Sequence, residues 1–210
     1  MSGPASSNAP PGRASARLLL ASSSVYRRAL LERFGWPFSC RAPHVDERAL
    51  PHEAPVELVR RLSLAKARAL VDEAPDALII GSDQVAVLDG RMLGKPGDEL
   101  RAVAQLEAAS GRTVHFLTGL CLLDAARDTH ELAVVATEVR FRRLTSDAIR
   151  NYVRREQPFD CAGSFKCEGL GIALFDAITS DDPTALIGLP LIALRAMLER
   201  AGFDVLAGSP

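Results

Sequence analysis

Lys166 and Glu168 stand two residues apart within Ala162-Gly163-Ser164-Phe165-Lys166-Cys167-Glu168-Gly169. Small residues of this kind let a backbone approach a ligand closely. In an extended segment the two side chains would face one side, the lysine toward phosphate and the carboxylate toward the edge of a base. Three more polar clusters accompany apolar segments: Ser22-Ser23-Ser24-Val25-Tyr26-Arg27-Arg28, Gly81-Ser82-Asp83-Gln84 and Gly94-Lys95-Pro96. Polar groups gathered at strand ends predict one site assembled from several loops. The cations among them call for an anionic ligand, and phosphate is the first candidate.

Asp83 is the leading catalytic candidate. The sequence places it at the end of an apolar strand, where it could bind a divalent cation or deprotonate water. A lone aspartate there could equally cap a turn. Glu47 is a second carboxylate, and spacing alone does not separate it from Asp46. Ser24 and the arginines Arg27 and Arg28 fall at the start of a helix, where unpaired N–H groups favour an anion. Arginines in that turn oppose the helix dipole, a broken local rule that points toward function. Lys66 falls on an apolar helical stripe with Val59, Leu62, Ala69 and Leu70, so it must snorkel to solvent or meet an anion. Gly94-Lys95-Pro96 is no P-loop: three residues separate Gly90 from Gly94, and Pro96 stands where Ser or Thr is required.

The elements that must position these groups alternate along the chain. Arg17–Ala21 reads as a buried strand and Ser24–Phe34 as a helix stopped by Gly35. Phe38–Ala42 is a second strand, and Pro43–Ala54 an irregular connection. A long helix spans Pro55–Glu73, with proline in its first turn. A strand over Ala77–Ile80 ends at the Gly81–Gln84 cluster. Val85–Leu88 and Arg91–Leu93 form a hairpin around Asp89-Gly90, a type I′ turn. A helix over Asp98–Ala109 precedes a second hairpin, Thr113–Leu123 with Glu131–Arg143. A helix capped by Thr145, a strand over Gly171–Ile178 and a helix over Leu189–Ala201 complete a mixed sheet wrapped by helices.

The 210-residue chain is 48% hydrophobic with a formal net charge of −1. That suits one domain, or two lobes sharing a core, and gives no global field for nucleic acid or an acidic membrane. No run of about 18 apolar residues predicts a membrane span, and a cytoplasmic location is expected. Residues 1–16, rich in Ser, Ala, Pro and Gly, read as a flexible tail before a domain over 17–206. Cys40, Cys121, Cys161 and Cys167 lack zinc spacing and read as free thiols. The four histidines show no metal spacing either.

Leu20-Ala21-Ser22-Ser23-Ser24 with Arg27-Arg28, Val45-Asp46-Glu47, Ala65-Lys66-Ala67, Gly81-Ser82-Asp83-Gln84, Gly94-Lys95-Pro96, Thr118-Gly119 and Ala162 to Gly169 together resemble the Maf family of nucleotide pyrophosphatases. Many short motifs in one order are more specific than any one of them. Ser82-Asp83-Gln84 with Lys166-Cys167-Glu168-Gly169 is similar to the branch that prefers 7-methyl-GTP. Cys167 departs from the serine expected there, and the tail over 1–16 is not part of the pattern.

The resemblance implies an elongated α/β fold of the Maf-like, ITPase-like type: a mixed β-sheet flanked by helices, with the site in a cleft between two lobes. It implies a hydrolase that cuts between the α- and β-phosphates with Mg²⁺ or Mn²⁺, and often a homodimer. By that resemblance Ser24, Arg27, Lys66, Lys95 and Lys166 surround the phosphates, with Arg28 beside them. Asp83 is the proton acceptor, Glu47 a metal-site carboxylate with Asp83, and Tyr26, Gln84 and Glu168 separate the substrate branches. A rival expectation is a pyrophosphatase for dTTP, UTP or other modified nucleotides. Another is a nucleotide-binding cell-division regulator without turnover. Charge favours the 7-methyl branch. Methylation makes the purine cationic, which suits a carboxylate such as Glu168 and an aromatic face such as Tyr26.

Overall fold

The computed structural model describes residues 17–207, so the tail read in residues 1–16 lies outside the described residues. Strand β1 (Leu18–Ala21) runs parallel to β2 (Phe38–Arg41) on one side and to β3 (Leu78–Leu88) on the other. Strands β4 (Arg91–Leu93), β5 (Thr113–Asp124), β6 (Thr129–Phe141) and β7 (Phe175–Ser180) are all joined antiparallel. The result is one seven-stranded mixed sheet in the order β2-β1-β3-β5-β6-β7, with β4 also paired to β3.

Among the described residues five α-helices flank it: α1 (Val25–Leu31), α2 (Pro55–Arg68), α3 (Glu99–Ala109), α4 (Ser146–Glu156) and α5 (Leu191–Arg200). Strand alternation divides them between the faces. On one face, Leu18, Leu20, Leu78 and Ile80 pack with Leu30, Leu31, Leu194 and Leu198 of α1 and α5. Further along that face, Ala86, Phe116 and Phe141 pack with Leu106, Ile149 and Val153 of α3 and α4. These are the two lobes, and β3 and β5 run through both. On the opposite face α2 sets Leu58, Val59 and Leu62 against Val85, and Ala67 against Leu19 and Ile79.

Four expectations change. The Gly81–Gln84 cluster is not a loop after a strand, because β3 continues for 11 residues through it. Its backbone is paired to β5 over Gly81↔Cys121 to Gln84↔Thr118, so polar side chains that look like a turn sit in mid-ladder. Lys166 to Gly169 is a turn rather than an extended segment, since the N–H groups of Gly169 and Gly171 both converge on the Lys166 carbonyl. The following strand therefore starts at Phe175, after a 3₁₀ turn over Leu170–Leu174, rather than at Gly171. Helix α1 ends at Leu31 and tightens into a 3₁₀ turn to Phe34, with Gly35 left-handed at φ 71°. The Asp89-Gly90 turn has positive φ at both residues, 48° and 76°, as a type I′ hairpin requires.

One feature of the sheet makes the cleft. β1 pairs with β3 only as far as Ala21↔Gly81, and β4 joins the same edge at Ala86↔Leu93. Among the described residues no strand covers 82–85 on that side. Side chains from both faces of β3 therefore reach one opening between the lobes.

Candidate active site

The opening leads into a cavity of about 590 Å³ lined by residues of all four polar clusters and by Glu47 and Lys66. Asp83 projects from β3 toward α2, and Lys66 on α2 meets it. The Lys66 Nζ lies 2.6 Å from Asp83 Oδ1 and 2.7 Å from Glu47 Oε1. Lys66 and Asp83 are 5% and 8% exposed. The lysine on the apolar stripe thus meets anions rather than reaching solvent. Glycine permits the approach: a Cβ on Gly81 would stand 2.0 Å from the Ser63 carbonyl oxygen of α2. Desolvation pushes the Glu47 carboxyl up, but it is outweighed by the hydrogen bond and charge of Lys66, with Lys95 and Arg27 behind them. The carboxyl therefore sits below its ordinary value.

Arg27 and Arg28 part company. Arg27 turns into the cleft, where its Nε donates to the Gly188 carbonyl at 2.8 Å. Burial lowers its pKa, against the charges of Asp83 and Glu47. Arg28 does not line the cavity; it pairs with Glu32 one turn on, at 3.0 Å and with its side chain 64% exposed. Ser24 lines the cleft but also caps α1, its Oγ accepting from the Arg27 N–H at 3.4 Å. Lys95, exposed on the loop after β4, lines the opposite rim.

Gln84 projects from the other face of β3. Its Nε2 donates to Thr118 Oγ1 at 2.9 Å and to the carbonyls of Ala185 at 2.9 Å and Leu186 at 3.1 Å. The amide nitrogen is fully committed, so Gln84 offers the cleft its carbonyl oxygen, an acceptor. Ser82 Oγ lies 2.8 Å from both the Gly119 and Gly188 carbonyls.

At the far wall, Tyr26 and Glu168 both line the cavity, and Lys166 does not. The Lys166 ammonium donates to the Glu156 carbonyl at 2.9 Å and lies near the Tyr26 hydroxyl. The sequence places this lysine on the phosphates; here its ammonium is held by a carbonyl of α4, and the residue is not among those lining the cavity. Cys161 and Cys167 also line the cleft, but burial pushes both thiols up to about 12, so neither is a nucleophile near neutral pH.

Sequence reasoning missed the turn over Ala185–Ile187 and Gly188. The turn works through backbone carbonyls, which no residue type announces. The one signal is Gly188, whose φ of 116° suits glycine, and where a Cβ would stand 3.2 Å from Arg27 Nε.

A family profile described as "Maf-like protein" matches residues 17–201. The chain belongs to the Maf family. Its Maf relatives include proteins named 7-methyl-GTP pyrophosphatase. One from Nitrosococcus oceani is 54% identical over 196 residues, covering 93% of this chain and 98% of that protein. One from Burkholderia pseudomallei is 55% identical, covering 92% and 91%. One from Xanthomonas axonopodis pv. citri is 55% identical, covering 90% and 98%. The fold expected of a Maf protein, a mixed sheet flanked by helices, is the fold described above.

Among the described residues no three or more His, Cys, Asp or Glu side chains form a metal cage. Magnesium-type cations do not need one. They take one or two carboxylates and fill the remaining positions with water and substrate phosphate. Glu47 and Asp83, converging on one ammonium in an open cleft, fit that donor set. Among the described residues no helix is long and apolar enough to cross a membrane.

Proposed function

We propose that this protein is a nucleoside triphosphate pyrophosphatase that hydrolyses 7-methyl-GTP to 7-methyl-GMP and pyrophosphate. The observation that carries this reading is the buried Lys66 held between Asp83 and Glu47 in a cleft whose rim bears Arg27 and Lys95. A buried carboxylate beside cations is the arrangement that can take a proton from water while phosphoryl charge is stabilised alongside. The names of the Maf relatives support the same reaction and the same nucleotide.

Each group has a task. Lys66 fixes the Asp83 carboxylate in one orientation, so that its remaining oxygen can accept a proton from the attacking water. The guanidinium nitrogens of Arg27 beyond Nε present a fork that matches phosphate oxygens, and Lys95 adds a mobile charge. Gln84 Oε1 accepts from a hydroxyl or amino group of the nucleotide. Glu168 balances the positive 7-methylpurine, against the ring of Tyr26. Glu47 and Asp83 would hold Mg²⁺ or Mn²⁺, which when bound neutralises phosphate charge and polarises the bond to be cut.

The test is pyrophosphate release measured on 7-methyl-GTP, GTP, dTTP and UTP at equal concentration with Mg²⁺ or Mn²⁺. Turnover of 7-methyl-GTP well above the others is expected. Faster turnover of dTTP or UTP would overturn the nucleotide assignment, and no release from any of the four would overturn the enzyme reading.

A further inference from the structure

Glu47 comes from the segment between β2 and α2, which has no regular secondary structure beyond a turn at residues 51–52. Such a segment, without ladder hydrogen bonds, is held by whatever side chains grip it. The grip is Arg61 of α2. Its Nε and Nη2 meet Glu53 Oε1 and Oε2 at 2.6 Å and 2.7 Å, a two-pronged pair. Glu53 is 8% exposed at its side chain and also accepts from the Leu50 N–H at 2.9 Å. Arg61 Nη2 donates a further bond to the Arg48 carbonyl at 3.1 Å. The side chain of Arg48 is exposed and paired to Asp46 at 2.6 Å. One guanidinium therefore ties residues 48, 50 and 53 to α2, and Arg48 is the immediate neighbour of Glu47. Arg61 itself does not line the cleft.

We propose that Arg61, through Glu53 and the Arg48 carbonyl, is a positioning residue that holds Glu47 over Lys66. Arg61 and Lys66 belong to the same helix, so the grip registers the loop against the helix that supplies the ammonium. A lysine at 61 could not do this, because it lacks the planar fork that meets two carboxylate oxygens and a carbonyl together. The catalytic side of this inference rests on the pyrophosphatase reading; the grip on the loop does not.

The experiment is a square of four proteins: wild type, Arg61→Ala, Glu47→Gln and the double variant. Pyrophosphate release from 7-methyl-GTP is expected to fall about tenfold in kcat for Arg61→Ala, with little change in KM, as for a displaced catalytic group. In the Glu47→Gln background the same change is expected to cost less than about twofold, because a residue acting through Glu47 has nothing left to position. An equal fall in both backgrounds, or none in the wild type, overturns the proposal. If Glu47→Gln has no measurable turnover, the square is read on calorimetric binding of pyrophosphate, with the same two outcomes. If Arg61→Ala does not fold, Glu53→Gln takes its place. Limited trypsin digestion supplies the second arm. Cleavage after Arg48 is expected to quicken several-fold in Arg61→Ala while cleavage at the remaining Lys and Arg sites outside residues 42–61 keeps its rate; unchanged cleavage at Arg48 overturns the grip. That arm needs no turnover, so an inactive wild type would sink the proposed function without deciding the grip.

Discussion

The ammonium of Lys66 meets the carboxylate of Asp83 at 2.6 Å across the seam where α2 lies on β3. Their side chains are 6% and 11% exposed. Seventeen positions separate them in sequence, and the contact exists because a helical stripe and a mid-strand position face each other. Asp83→Asn keeps an oxygen that can accept from Lys66 but loses the base. It is expected to leave the melting temperature nearly unchanged and to abolish pyrophosphate release; full turnover would remove Asp83 from the chemistry. Lys66→Met is the harsher change. It leaves Asp83 with its charge and without this partner in a nearly buried position, which costs about 3 kcal/mol. A urea titration should show that loss, and a variant as stable as wild type would mean that water replaces the lysine freely.

The seam itself can be tested at Gly81 and Gly119. Added Cβ atoms there would stand 2.0 Å from the Ser63 carbonyl and 2.3 Å from the Val59 carbonyl, both on α2. Backbone cannot yield as a flexible side chain does. Gly81→Ala should push α2 off the sheet and destabilise the protein by about 3 kcal/mol or more. Turnover should fall along with stability, because Lys66 travels with α2. A Gly81→Ala protein with wild-type stability and rate would show that the close approach is not needed.

Lys66 was legible in the sequence because a charge on a helical apolar stripe must be explained. The hairpins and caps were legible because their turn residues have specific backbone requirements. The arginines were not separable. Neighbours on a helix point about 100° apart, and only packing decides that Arg27 reaches Gly188 while Arg28 pairs with Glu32. Lys166 and Glu168 read as extended neighbours, yet the turn closed by Gly169 and Gly171 sends the lysine to the Glu156 carbonyl and the carboxylate to the cleft lining. Asp83 stands out in the sequence by its type, but it lies in mid-strand rather than at a strand end. A polar tetrapeptide looks like a loop until its ladder partner and its side-chain partners are known.

The charged pair that grips the loop gives a pH signature. Its hydrogen bond from Arg61, followed by that from the Leu50 N–H, lowers the Glu53 carboxyl to about 2. An unfolded glutamate titrates near 4.3, so the folded protein holds this proton less tightly. The contribution is complete above about pH 4.3 and is lost as pH falls through the folded value. Melting temperature should therefore drop between about pH 4.3 and pH 2, and Glu53→Gln should show a shallower drop over that range. Parallel curves for the two proteins would mean that Glu53 titrates normally.

Glu168 is the residue on which nucleotide choice should turn. It lies exposed on the cleft wall, with the Cys167 Sγ 3.3 Å from its Oε2. A 7-methylguanine ring carries a positive charge that guanine lacks, and a carboxylate both accepts from its edge and balances that charge. Glu168→Gln keeps the shape and one acceptor but removes the balance. Charge-assisted hydrogen bonds contribute about 2 kcal/mol, so kcat/KM for 7-methyl-GTP should fall roughly thirtyfold. The value for GTP, which has no charge to balance, should change far less. The ratio of the two decides the matter: an equal fall on both nucleotides would make Glu168 a general binding group, and no fall on 7-methyl-GTP would take it out of base recognition altogether.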